Sequence, residues 1–313
     1  MENKVREGIS IVIPCYQSED YITQTLQGIA DAFTDNRNEI EVICVVDGST
    51  DDVAAVIRKH KAPFDLKVIE LTRNFGQHNA LLAGIREANF EYCATMDDDG
   101  QHLPMELVGM HAFAFEQKYD LVYGKPKSEE HGFVRSLASR SVKFWLTVLG
   151  NKHARDISAF RLFRTELRDA FAHVSDPNVQ LDALLAWSTN NVGVVEVEMR
   201  PRSAGRSGYS FPKLLQYALN MITAYSTKPL RAITYIGFLA SVIGFGLGVF
   251  ILGSFFLSET TPTGFTSIAF MVSTFSGIQM LAIGVLGEYL ARSHGRISGQ
   301  PMYVIRQEGC SEK

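Results

Sequence analysis

Paired cysteine spacing, a leader-like start and a large charge excess are all missing from this 313-residue chain. Cys15, Cys44, Cys93 and Cys310 are scattered, three of them in or beside apolar runs. Neither a disulfide framework nor a cysteine metal site is therefore expected, and a reducing compartment fits. The net charge of −4 argues against general nucleic-acid binding, so no nucleic-acid partner is expected. Met1 to Gly8 is polar and the apolar run Ile9 to Ile13 is short, so no signal peptide is expected. Charge is also absent from Ile233 to Leu257 and from Ser267 to Gly287. Each run reaches the roughly 20 residues that cross a bilayer, and the competing reading is a pair of buried core helices. The stretch between them holds Glu259 and no Lys or Arg. Lys228, Arg231, Arg292, Arg296 and Arg306 flank the pair on its outer sides. By the positive-inside rule both flanks, and the N-terminal domain with them, face the cytoplasm at the inner membrane.

What is present in the first half is a rhythm. Short apolar runs at Ile9–Ile13, Glu41–Val46, Leu66–Leu71, Tyr92–Met96 and Asp120–Tyr123 alternate with helical patterns. Those patterns cover Asp20–Phe33, Asp51–Lys61, Gln77–Ala88 and Pro104–Gln117. The alternation predicts an α/β fold, a Rossmann-like and mostly parallel sheet with helices on both faces. Further helices are expected at Phe133–Leu149 and Leu181–Thr189, and a strand at Val192–Met199. The domain reading is a soluble domain over 1–210 and an interfacial amphipathic helix over 211–228. Two transmembrane helices over 229–291 (about 233–257 and 267–287) and a cytoplasmic tail over 292–313 complete it. A strand at Pro301–Arg306 is one reading of the tail.

In parallel sheets ligands sit beyond the carboxyl ends of the strands. Three polar clusters fall there: Pro14 to Glu19, Asp47 to Asp52, and Asp97 to His102. On an extended segment Asp97, Asp99 and Gln101 would share one side. Two carboxylates and an amide oxygen are hard ligands for Mg²⁺ or Mn²⁺, above all when phosphates complete the shell. A solvated acidic turn before Pro104 is the plainer alternative. Asp47 at a strand tip suits hydrogen bonds from a nucleobase or ribose, while Ser49 or Thr50 would cap the next helix. Arg73 and His78 flank another strand end, although His78 reads equally well as a packed residue. Arg200, Arg202, Arg206 and Lys213 precede the first apolar span and suit a phosphate or anionic headgroups, with positive-inside bias as the competing cause.

Taken in order, IVIPCYQSEDYI, VVDGSTDD, RNFGQHNALLAGI, MDDDGQHLP, DISAFRLF, QLDALLAW and RSAGRSGYSFPKLL, followed by two apolar spans, carry a family resemblance. The chain resembles the GT-A-fold family 2 glycosyltransferases that act on polyprenyl phosphates. The resemblance implies inverting transfer of one sugar from a nucleotide-diphosphate donor, UDP-linked, to undecaprenyl phosphate. It assigns donor binding to Pro14, Tyr16, Ser18, Asp47, Arg73, Asp97 and Asp98, and the metal to Asp97, Asp99 and Gln101. Arg135, Ser139, Arg140, Arg202 and Ser207 would meet the lipid phosphate, with Asp156 and Arg206 as further candidates. Asp182 falls where hydroxyl-acceptor relatives keep a catalytic base, and a helix-capping role stays open for it. Tyr16-Gln17-Ser18 departs from the Tyr-Asn-Glu of many relatives, and Asp98 replaces a commoner small residue. No Gln-x-x-Arg-Trp motif is present, which disfavours a processive synthase. The family leaves room for a homo-oligomer. Two other readings stay open: another membrane lipid or glycan as acceptor, and a silent nucleotide-sugar-binding scaffold.

Overall fold

Strands that are apolar at nearly every position, rather than every second one, belong between two layers of helices. The computed structural model describes residues 6–34, 39–127, 157–177, 179–200, 228–257 and 264–307. In it β1 (Arg6–Cys15), β2 (Ile40–Val46), β3 (Asp65–Glu70) and β4 (Phe90–Thr95) run parallel. All seven residues of β2 are buried. The sheet continues through β5 (Leu121–Pro126), β6 (Arg161–Arg164) and β7 (Val192–Val197), in the order β3-β2-β1-β4-β6-β5-β7.

Successive strand residues feed opposite cores. Ile11, Ile13 and Val42 pack with α1 (Ile22–Ala32), α2 (Val53–Lys59) and α4 (Pro104–Gln117) through Leu26, Ile57 and Leu107. Val12, Ile43 and Val45 pack with α3 (Gln77–Arg86) and α5 (Leu181–Ser188) through Leu82 and Leu184. The layered parallel core is thus as the sequence predicts. β6 is not: it pairs antiparallel with both β4 and β5. Arg-Leu-Phe-Arg offers neither a long apolar run nor alternation, and Arg161 is buried only because an acid meets it from α5. The expected capping of α2 by Ser49 or Thr50 is also corrected, since Asp52 is the N-cap residue and makes no side-chain cap.

At the opposite edge from the strand tips, Glu41 is 1% exposed. It accepts from Ser10 Oγ at 2.6 Å, Lys67 Nζ at 2.7 Å and the Asn89 backbone N–H at 2.6 Å. Burial by itself would raise this carboxyl; the Lys67, Ser10 and Asn89 donors together hold it below its usual value. A depressed folded pKa stabilises above the unfolded value of about 4.3 and is lost as pH falls through the folded one. Glu41→Gln should therefore lower the melting midpoint at pH 7. The gap to wild type should close on acidification below pH ~4, as followed by circular dichroism.

By its contacts Tyr209–Ser298 forms a second unit. It holds α6 (Lys228–Leu257) and α7 (Phe265–Ile297), helices of 30 and 33 residues. Gly244 of α6 lies against the Phe275 ring of α7, where an added Cβ would come within 3.4 Å. Thr274–Gly295 is long and apolar enough to cross a membrane, and Leu230–Gly246 is a shorter apolar stretch. Phe238, Phe245, Phe250 and Met280 are each at least 70% exposed. Both helices outrun the spans of 233–257 and 267–287 expected from hydropathy. α7 passes Gly287 because Glu288 to Ile297 continues the helix after its apolarity ends. Gly299 onward belongs by its contacts to the sheet unit.

Candidate active site

The strand order reverses between β1 and β4, and in such sheets the crevice outside that reversal takes the ligand. β1 delivers Pro14, Tyr16 and Ser18 to it. Pro14 is buried near the end of β1, two residues after Val12, whose carbonyl accepts the N–H of Met96 just beyond β4. Tyr16 is 45% exposed at the tip, whereas Ser18 is fully buried and its carbonyl accepts the Tyr21 and Ile22 amides that start α1. Gln17 takes a left-handed φ of 54° and donates its N–H to Ser49 Oγ at 2.8 Å. Ser49 is thus committed to joining the β1 and β2 tips.

After β4 the chain does not stay extended. Asp98 and Asp99 lie in a turn closed by Gly100 at φ 72°, so alternation does not put Asp97, Asp99 and Gln101 on one side. That expectation fails because glycine lets the backbone reverse. The three carboxylates consequently do different things. Asp97 Oδ1 accepts from Gln77 Nε2 at 2.8 Å, and its N–H donates to His102 Nδ1 at 2.9 Å. Asp98 Oδ2 accepts the Tyr16 N–H at 3.1 Å, which ties β4 to β1 across the reversal. Asp99 Oδ1 accepts the Gln101 N–H at 3.1 Å. Burial pushes the Asp98 carboxyl up to about 6, the Tyr16 amide partly offsets this, and the Asp97 and Asp99 charges add to the rise.

His102 and Gln77 are the residues that reading the sequence did not assign here. His102 stacks on Phe160, with centroids 4.7 Å apart, and burial lowers its imidazole pKa, which favours Nδ1 as the acceptor of the Asp97 N–H. Its neighbour Gln101 accepts the Arg200 N–H on its carbonyl at 2.9 Å, joining the acidic turn to the strand end of β7. The visible signal was only a polar residue next to each motif.

Asp47 is 3% exposed, and its two oxygens accept the Phe75 and Gly76 N–H groups at 2.7 and 2.8 Å. Burial raises its carboxyl and those two amides partly offset the rise. It anchors the loop ahead of α3. That loop presses on Gly48, where an added Cβ would lie 2.2 Å from the Arg73 carbonyl carbon. Arg73 itself stacks over Phe75 at 4.4 Å.

Asp182 stands apart. It is 4% exposed, Arg161 Nη1 lies 2.6 Å from its Oδ1, and Tyr123 donates at 3.3 Å. His78, lowered to about 4 chiefly by burial, accepts the Leu181 N–H at 3.4 Å. A carboxylate held this way sits in a buried ion pair with Arg161. Arg135, Ser139, Arg140, Asp156, Arg202, Arg206 and Ser207 lie outside the described residues, as do the expected helices at Phe133–Leu149 and 211–228.

Among the described residues no three His, Cys, Asp or Glu side chains gather as metal ligands. Asp97, Asp99 and Gln101 would offer only a sparse set of oxygen ligands. Mg²⁺ commonly uses one or two carboxylates and completes its shell with substrate phosphates, so the set suits a shared rather than a self-sufficient site.

A seven-stranded, mostly parallel sheet with an acidic turn at its reversal is the GT-A type of glycosyltransferase fold. Residues 10–167 match the model of Glycosyl transferase family 2, and the chain belongs to that family of transferases. It is 30% identical to the undecaprenyl-phosphate 4-deoxy-4-formamido-L-arabinose transferase of Proteus mirabilis, over 96% of this chain and 93% of that one. It is 28% identical to the bactoprenol glucosyl transferase of Shigella phage SfII, over 96% and 97% of the two chains. In fold it is similar to S. aureus TarS solved with UDP-GlcNAc, at TM-score 0.53 and 21% identity over 70% of this chain and 66% of that one. Glucosyl-3-phosphoglycerate synthase from Mycobacterium tuberculosis, solved with Mn²⁺, UDP and its product, gives TM-score 0.51 and 14% identity over 71% and 81%.

Proposed function

We propose that the protein transfers one sugar from a UDP-sugar to undecaprenyl phosphate with inversion, at the cytoplasmic face of the inner membrane. The observation that carries this reading is the joining of four strand-end segments around the acidic turn at the sheet reversal. Tyr16 holds Asp98, Gln77 holds Asp97, and Asp47 holds the loop between them. The likeness to transferases named for undecaprenyl phosphate and bactoprenol, over 96% of the chain, supports the acceptor.

The nucleotide lies along Tyr16 and Arg73, with the buried Ser18 and Asp47 shaping the loops beneath it, and Asp98 fixes the two strand tips that frame it. Asp97, Asp99 and Gln101 would hold Mg²⁺ or Mn²⁺ together with the donor diphosphate, and the cation would supply charge neutralisation at the leaving group. The acceptor oxygen attacks the anomeric carbon from the side opposite the diphosphate. A phosphate monoester has a second pKa near ~6 and is mostly dianionic at neutral pH, so it needs no side-chain base. This agrees with Asp182 being occupied by Arg161. Arginine forks do the remaining work of neutralising the acceptor headgroup, from Arg135, Arg140, Arg202 and Arg206, while the Ser139 and Ser207 hydroxyls help orient it. Arg202 follows two positions after Arg200, whose N–H is tied to the acidic turn.

α6 and α7 are the bilayer hairpin in this reading, with the sheet unit and both termini in the cytoplasm. Their exposed phenylalanines and the lack of Lys and Arg between them support it. The test is to incubate the purified full chain with a panel of UDP-sugars, Mn²⁺ and either undecaprenyl phosphate or a diacylglycerol. A sugar transferred only to undecaprenyl phosphate is expected. Transfer to diacylglycerol alone, or hydrolysis of the donor without transfer, would overturn the acceptor assignment.

A further inference from the structure

The segment after α7 returns to the sheet unit and attaches beside the loop that Asp47 holds. Met302 is 6% exposed within the core that includes Leu71, Ile85 and Ala88. Val304 O accepts the Thr72 N–H at 2.9 Å, and the Arg306 N–H donates to Glu70 O at 2.7 Å. Ile305 thereby forms an antiparallel bridge with Leu71. One arginine fixes the attachment from behind. Arg86, the last residue of α3, donates from Nη1 to Tyr303 Oη at 3.0 Å, with its guanidinium 5.5 Å from that ring centre. Its Nη2 donates to the Ala172 and Val174 carbonyls at 3.2 and 3.1 Å.

β3 is an edge strand, and covering an edge is common. An edge cover would lie along β3, however, whereas these bonds fall at Glu70 and Thr72, where β3 ends and the loop begins. From there each step of the chain is committed to the site. Thr72 is held by the tail, Arg73 presses on Gly48, Phe75 and Gly76 bond Asp47, and Gln77 bonds Asp97. The loop is thus fixed at one end by the tail and at the other by the acidic turn.

We propose that the C-terminal segment Met302–Arg306 is a positioning element for the donor site, with Arg86 and Tyr303 as its latch. It sets the register of the Thr72–Gln77 loop, and through Asp47 and Gln77 the geometry that receives the nucleotide diphosphate. The inference rests on the donor reading given above. It predicts that loosening the latch weakens donor binding while the chemical step is kept.

The test uses the full chain in nanodiscs with Tyr303→Ala, Tyr303→Phe and Arg306→Pro, the last removing the N–H that bonds Glu70. Amide exchange reads the loop without any need for turnover. In Tyr303→Ala and Arg306→Pro, exchange at Phe75 and Gly76 should speed up by about tenfold or more, as for a segment whose local opening has become easier. The β2 amides should keep wild-type rates, and Tyr303→Phe, which keeps the ring under Arg86, should restore most of the protection. Donor KM should rise about tenfold with kcat within twofold, as for lost binding common to ground and transition states. Faster exchange at Thr72 alone, or uniformly over the sheet unit, would make the tail a plain structural cover and overturn the proposal. A wild-type chain that turns over no UDP-sugar would refute the proposed function, while the exchange rates would still decide the role of the tail.

Discussion

Asp99→Ala is expected to lower turnover by about 10²–10³-fold, the usual loss when a group that stabilises transition-state charge is removed. The chain should still fold, since Asp99 is partly exposed and outside both apolar cores. Two roles have to be separated in that loss. Asp99 Oδ1 holds the Gln101 amide, so alanine both opens the turn and removes an anionic oxygen ligand. Asp99→Asn keeps an acceptor for Gln101 and deletes only the charge. If the carboxylate acts through a cation shared with the diphosphate, asparagine should be nearly as impaired as alanine. Mn²⁺ titrated in the presence of UDP should bind both variants more weakly than wild type. Because the oxygen set is sparse, Mn²⁺ should also bind the wild-type chain poorly until UDP is added. An Asp99→Asn enzyme with wild-type kcat would mean that the charge is not required and that the turn serves geometry alone.

The second large effect is on folding. Asp182→Asn should strand the Arg161 guanidinium, itself 2% exposed, in the core between β6 and α5. Breaking one partner of a buried pair costs about 3–5 kcal/mol. For a domain of this size the melting midpoint should drop by roughly 6–20 °C. The Tyr123 hydroxyl and His78 at the same site are held neutral by burial and cannot take over the negative charge. Replacing both partners, as Arg161→Met with Asp182→Leu, should recover much of the loss, since a buried pair can be exchanged for apolar packing. A catalytic base behaves differently. Its removal would leave the melting midpoint alone, abolish turnover and alter the acid limb of the pH–rate profile. Thermal melts beside pH profiles of Asp182→Asn decide between them.

What could be read from the sequence, and what could not, divides on the range of the interaction. β1, β2 and β4 were legible because burial on both faces leaves an apolar residue at nearly every position. The acidic turn stood out as three aspartates directly after such a run. Its internal geometry was hidden, because Gly100 reverses the chain and gives Asp97, Asp98 and Asp99 separate partners on α3, β1 and the turn itself. β6 was missed because its four residues look polar at both ends and depend on an acid from a distant helix. The same pairing bears on Asp182, whose motif position suggests chemistry while the structure sets it against the buried Arg161. The tail is the extreme case: Leu66–Leu71 and Pro301–Arg306 each read as extended, but nothing in either local pattern announces that Ile305 meets Leu71 across most of the chain.

Transfer of a sugar alone, rather than of a sugar phosphate, is the step on which the account stands. The most direct measurement is the mass of the lipid formed from undecaprenyl phosphate and the productive UDP-sugar. A product heavier than the acceptor by one sugar residue, with a single phosphorus and UDP released, is the predicted result. A product containing two phosphorus atoms with UMP released would contradict it.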